Sequence, residues 1–82
     1  LQSAMKTLLR AGFELVLLDE GRYTTDLYPC YTAFARHLPA HAADMRRALE
    51  IFLRPDAPDT QVSALLDRLI PWMVAQFHKM IG

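Results

Sequence analysis

The chain has 82 residues, one domain at most, and 52% of them are hydrophobic, which supports a compact but thin core. Nine basic side chains balance nine acidic ones, so no bulk charge draws the chain to nucleic acid or to a membrane surface. A single cysteine excludes an internal disulfide and fits a reducing, cytoplasmic setting, and no signal peptide or bilayer-spanning apolar run is visible.

Four helices are predicted from the spacing of apolar residues. The first runs from about Ser3 to Glu20, with Ser3 as its cap. Met5, Leu8, Leu9, Phe13, Val16 and Leu17 recur at three- and four-residue steps. Leu15 and Leu18 widen that stripe, so the helix reads as buried on more than one side. Gly12 costs the helix roughly 1 kcal/mol relative to alanine, and it suits the close approach of another helix. Gly21 is the expected left-handed stop. The chain opens on Leu1 rather than methionine, which reads as a fragment of a longer protein or a cleaved product.

Helix two is predicted from about Asp26 to Leu38, with Thr25 or Asp26 accepting a free N–H of the first turn. Pro29 falls in that turn, where a missing donor does least harm. Leu27, Cys30, Tyr31, Phe34 and Leu38 make its buried stripe, and Tyr23 and Tyr28 are the tyrosines expected outside. Pro39 ends the helix or opens the next. Helix three runs from about His41 to Leu53, with Met45, Leu49, Phe52 and Leu53 inward and Arg46, Arg47 and Glu50 outward.

Pro55 to Asp59 is a short rigid linker. Helix four, about Thr60 to Met80, carries apolar residues at helical spacing from Val62 to Phe77. Pro71 in its interior is expected to kink it rather than end it, because the apolar period resumes at once. Trp72 and Phe77 belong to an edge of the core or to a face that meets another domain. The expected fold is all-α: an up-and-down bundle of about four helices, the last kinked at Pro71.

No self-sufficient catalytic constellation is visible. His37 and His41 could share a metal on an unbroken helix, but Pro39 lies between them, and they read as solvated helix-end histidines. Cys30 reads as a core residue, because a nucleophile needs a base and an electropositive, partly open setting. Arg22 with Tyr23 is the sharper pair. An arginine between a helix stop and a helix N-terminus can reach a phosphate, with free N–H groups and the helix dipole in support. Asp26 adds negative charge to the same spot, which favours a plain exposed loop arginine.

Four features together resemble the C-terminal helical domain of nucleotidyltransferases of the aminoglycoside (streptomycin/spectinomycin) adenylyltransferase type. They are the Gly21-Arg22 turn before an aromatic-bearing helix, the Leu38-Pro39 break, a helix closing on Phe52-Leu53, and a last helix ending Lys79-Met80-Ile81-Gly82. The likeness covers about residues 17–82. It implies a helical, substrate-side domain that closes over a nucleotide and an acceptor held by an N-terminal catalytic domain. It also implies Mg and ATP for the parent enzyme, none held by this domain alone, with Arg22, Tyr23 and Phe52 on the nucleotide side and a small-molecule acceptor. Separately, Arg36 and His41 match the arginine, four residues, histidine spacing that resembles the ribonuclease motif of HEPN domains, with Pro39 between its two ends. The alternative to an enzyme part is a non-catalytic helical interaction module that binds another protein through its Trp72/Phe77 end or its Tyr23/Tyr28 loop.

Overall fold

A computed structural model, which describes residues 2–81, contains four α-helices: α1 (Gln2–Glu20), α2 (Leu27–His37), α3 (Ala42–Leu53) and α4 (Asp59–Ile81). A 3₁₀ turn, Pro39–His41, leads into α3. The fold is all-α, with no strand among the described residues.

Local chemistry explains most of the boundaries. Gly21 has φ of 75° and donates its N–H to the Leu17 carbonyl at 3.0 Å, the left-handed cap that only glycine adopts without steric cost. Asp26 occupies the position before α2 in an extended conformation, but its side chain makes no capping bond. Instead its own N–H donates to Thr24 Oγ1 at 3.1 Å. The first N–H used inside α2 is that of Cys30, bonded to the Asp26 carbonyl, so Pro29 removes no donor the helix needs. Ser3 is not the cap of α1. The helix begins one residue earlier, and the Gln2 side-chain amide donates to the Phe52 carbonyl at 2.8 Å, tying the start of α1 to the end of α3. Pro71 lies within α4, which continues to Ile81.

Pairs of residues fix the directions. Gln2 reaches Phe52 while Gly12 faces Met45, so α3 runs opposite to α1. Arg68 pairs with Asp44 at 3.0 Å and Arg47 donates to Gln61 at 2.9 Å, so α4 runs opposite to α3 and along α1. Between α1 and α2 the chain doubles back, and Arg10 donates to the Thr25 carbonyl. The far end of α2 then returns beside Glu20 through Arg36 and His37. The C-terminal ends of α1, α2 and α4 therefore gather at one end of the molecule, so the expected up-and-down order does not hold: the loop 21–26 carries the chain back along α1 and α2 runs parallel to it.

The core is centred on Phe34, Met45, Leu9, Ile51 and Leu69, all fully buried, with a smaller cluster of Phe13, Val16, Cys30 and Ala33 beside it. Gly12 faces Phe34 of α2 and Met45 of α3. A Cβ placed there would overlap Met45 Cε and lie 3.1 Å from the Phe34 ring. The expectation of close helix approach at Gly12 is met.

Two apolar positions differ from expectation. Leu18 does not widen a buried stripe; it is 88% exposed. Leu53 is 67% exposed rather than inward, because a further step of about 100° beyond half-buried Phe52 carries the last residue of α3 off the core face. On α4 only Val62, Leu65, Leu69 and Met73 are buried, while Ile70 and Val74 stand 46% and 47% exposed.

Candidate functional site

The loop Gly21–Asp26 holds two of the residues expected to face a nucleotide. Arg22 is exposed and has no ion-pair partner among the described residues. Tyr23 is exposed, with its ring packed edge-on against Phe13 at 6.4 Å. Phe52, the third, is half-buried at the C-terminal end of α3, next to Gln2. α1 stands between them. Its 19 residues span about 28 Å at 1.5 Å per residue. The structure thus brings Arg22 and Tyr23 together and keeps Phe52 at the other end of the molecule.

Glu20 organises a polar cluster at the end where three helices finish. Arg36 donates to Glu20 Oε2, and His37 Nε2 lies 3.1 Å from Glu20 Oε1. The Arg36 hydrogen bond holds the Glu20 carboxyl below its ordinary value, with partial burial opposing and His37 assisting. An acidic residue at a helix C-terminus is unfavourable by itself, and that placement is the one sequence signal that Glu20 needs cations from elsewhere. A shallow cleft of about 260 Å³ lies beside the cluster, lined by Asp19, His37, Gln76 and Lys79 over Leu15, Val16, Leu38 and Met80.

His37 is exposed at the end of α2, as expected, while His41 is half-buried. His37 is held by Glu20, and His41 stacks on Trp72 with ring centroids 3.9 Å apart. Trp72 in turn meets Phe34 edge-on at 5.9 Å, which places it at the core edge. Arg36 and His41 therefore take separate partners, on either side of the Pro39 turn. No group of three potential metal ligands occurs among the described residues. Cys30 is fully buried, as expected, and burial pushes its thiol above the ordinary value, away from thiolate chemistry.

An apolar groove of about 470 Å³ lies between α1 and α4. Small side chains, Ala4, Thr7 and Ala11, line its α1 wall; large ones, Leu66, Ile70, Val74 and Phe77, line its α4 wall. The helical spacing in the sequence covers these α4 residues, with Phe77 expected at an edge of the core or on a face that meets another domain. Comparison with protein-family models, curated proteins and solved structures finds no match. The site residues thus stand on their geometry alone.

Both walls carry the same periodicity. Ala4, Thr7 and Ala11 step along α1 by three and four residues, and Leu66, Ile70, Val74 and Phe77 do so along α4. That spacing is the seam by which one helix packs along another. No described helix is long and apolar enough to cross a membrane.

Proposed function

We propose that the chain is a non-catalytic helical interaction module that docks a polypeptide in the groove between α1 and α4. One observation carries this reading. Ile70 and Val74, in the middle of an otherwise core-directed stripe, stand nearly half exposed along an apolar groove with a helix-packing repeat on both walls. Large side chains left in water at such spacing mark a face that another chain covers. A photo-crosslinking amino acid in place of Ile70, introduced in the source cell, is expected to yield a covalent polypeptide adduct. The same residue in place of Arg46, exposed on α3, is expected to yield none. Equal yields from the two positions would remove the groove as the docking surface.

A second reading keeps the nucleotidyltransferase resemblance. In it, Arg22 of a longer enzyme meets the nucleotide phosphates with Tyr23 beside it, while an N-terminal catalytic domain holds Mg and ATP. Its support is that Arg22 is exposed, with no ion-pair partner among the described residues, ahead of the N-terminus of α2. Arg22→Ala in such a two-domain protein is expected to weaken ATP binding about tenfold, the loss of one charge-assisted phosphate contact. Unchanged ATP affinity would end this reading.

A further inference from the structure

We propose that the cleft where α1, α2 and α4 end binds a free aliphatic α-amino acid, with its ammonium group on Asp19 and its carboxylate on Lys79. This goes beyond the docking reading and does not depend on it, because the cleft lies past the groove. Leu15 to Asp19 stand beside Gln76 to Met80 in the cleft, whereas the groove takes Ser3 to Ala11 beside Leu66 to Phe77.

Charge carries the argument. Asp19 of α1 and Lys79 of α4 are both exposed and both line this cleft. They have opposite charge and share one small space, yet neither belongs to an ion pair among the described residues. The neighbouring carboxylate, Glu20, is already held by Arg36 and His37, so those cations are committed to it rather than to Asp19. The C-terminal ends of three helices add partial negative charge at this end, which favours a cationic group beside Asp19. Half-buried Gln76, also in the lining, offers a donor and an acceptor from one amide. A ligand with one ammonium and one carboxylate satisfies both side chains at once. An amine alone leaves Lys79 unmatched and is repelled by it; an acid alone meets the same fault at Asp19.

Size and floor choose among zwitterions. The cleft holds about 260 Å³, below the roughly 300–1,000 Å³ of a drug-sized site, so its occupant is a small molecule and not a peptide. Its floor is hydrocarbon: Val16 is buried, and Leu15 and Leu38 are half-buried. Met80 stands at the rim, 52% exposed. Its unbranched thioether chain adapts to whatever is laid against it. That surface suits a branched aliphatic side chain, as in leucine, isoleucine or valine.

Heteronuclear NMR of the chain titrated with L-leucine tests the proposal. Saturable shifts are expected in the amides of Leu15, Val16, Asp19, Leu38 and Gln76, and none at Ala4 or Ala11 in the groove. 4-Methylpentanoic acid and 3-methylbutylamine keep the side chain and lack one charge each. Both are expected to bind at least about tenfold more weakly, the loss of one charge-assisted contact. Asp19→Asn and Lys79→Met are each expected to weaken L-leucine about tenfold on the same ground. Lys6→Met, exposed on α1 outside the cleft, is expected to leave it unchanged. No saturable shift up to the solubility limit of L-leucine overturns the proposal. Equal binding of the two singly charged analogues overturns it too, because the site would then read hydrocarbon alone. That comparison uses the unmodified chain, so it decides the matter even where a variant fails to fold. L-leucine binding that either Asp19→Asn or Lys79→Met leaves unchanged overturns it as well.

Discussion

Phe34→Ala is expected to leave the chain largely unfolded at 25 °C. Phe34 is fully exposed to none of the solvent: its relative surface exposure is 0%. It is also the side chain through which the helices meet. Its ring lies against Gly12 of α1 and in one cluster with Met45 and Leu49 of α3, and it meets Trp72 of α4 edge-on at 5.9 Å. Truncating a buried phenylalanine costs about 3–5 kcal/mol, part of it lost transfer energy and part the cavity left behind. A chain of 82 residues, at about 0.05–0.15 kcal/mol per residue, is stable by roughly 4–12 kcal/mol. Domains of this size with a single thin core sit at the lower end. The loss is therefore comparable to the whole stability.

Urea unfolding followed by far-ultraviolet circular dichroism reads this directly. Phe34→Ala should show no native baseline, or a midpoint displaced far toward zero denaturant. Tyr28→Ala is the matched control. Tyr28 is 65% exposed and on the same helix, so its loss should move stability by no more than about 0.5 kcal/mol. Two variants with the same midpoint would mean that Phe34 is not the centre of the core.

Helix positions were legible because they depend on chemistry local to the chain. The left-handed turn at Gly21, the break at Pro39, the stop at Pro55 and the tolerance of Pro29 each follow from one residue's backbone preferences and its neighbours. Buried Cys30 and Phe34 followed from the three- and four-residue spacing around them. What the sequence could not show is whether a helical face, once formed, finds cover. Ile70 and Val74 carry the same periodicity as Leu69 and Met73, and only the placement of α1 decides which pair is covered. Glu20 is a similar case. Its partners Arg36 and His37 are sixteen and seventeen residues away, brought back by the doubling of the chain after Gly21. Phe52 and Arg22 share a resemblance-based role but lie at opposite ends of α1, a separation set by the length and direction of helices rather than by order in the chain.

Gly12 and Met45 are expected to be strongly coupled, and the sign of one substitution should reverse with the other. Alanine in place of glycine inside a helix ordinarily stabilises by about 1 kcal/mol. At this position the new methyl would overlap Met45 Cε and press on the Phe34 ring. Met45 is fully buried and cannot swing its terminal methyl into solvent. Overpacking of that kind costs about 1–3 kcal/mol, so Gly12→Ala should destabilise by roughly 1 kcal/mol net once the propensity gain of about 1 kcal/mol is subtracted. Met45→Ala alone should cost about 2–5 kcal/mol through the cavity it opens between α1 and α3. In that background the clash is gone, and the methyl at position 12 occupies part of the space the methionine left. Gly12→Ala should then stabilise by about 1 kcal/mol, giving a coupling of roughly 2 kcal/mol in a double-mutant cycle. Denaturant midpoints of the four proteins supply the cycle. Stabilisation by Gly12→Ala in the otherwise unmodified chain would show that α1 and α3 do not meet at this glycine, and additive effects would show that its methyl and Met45 never compete for the same volume.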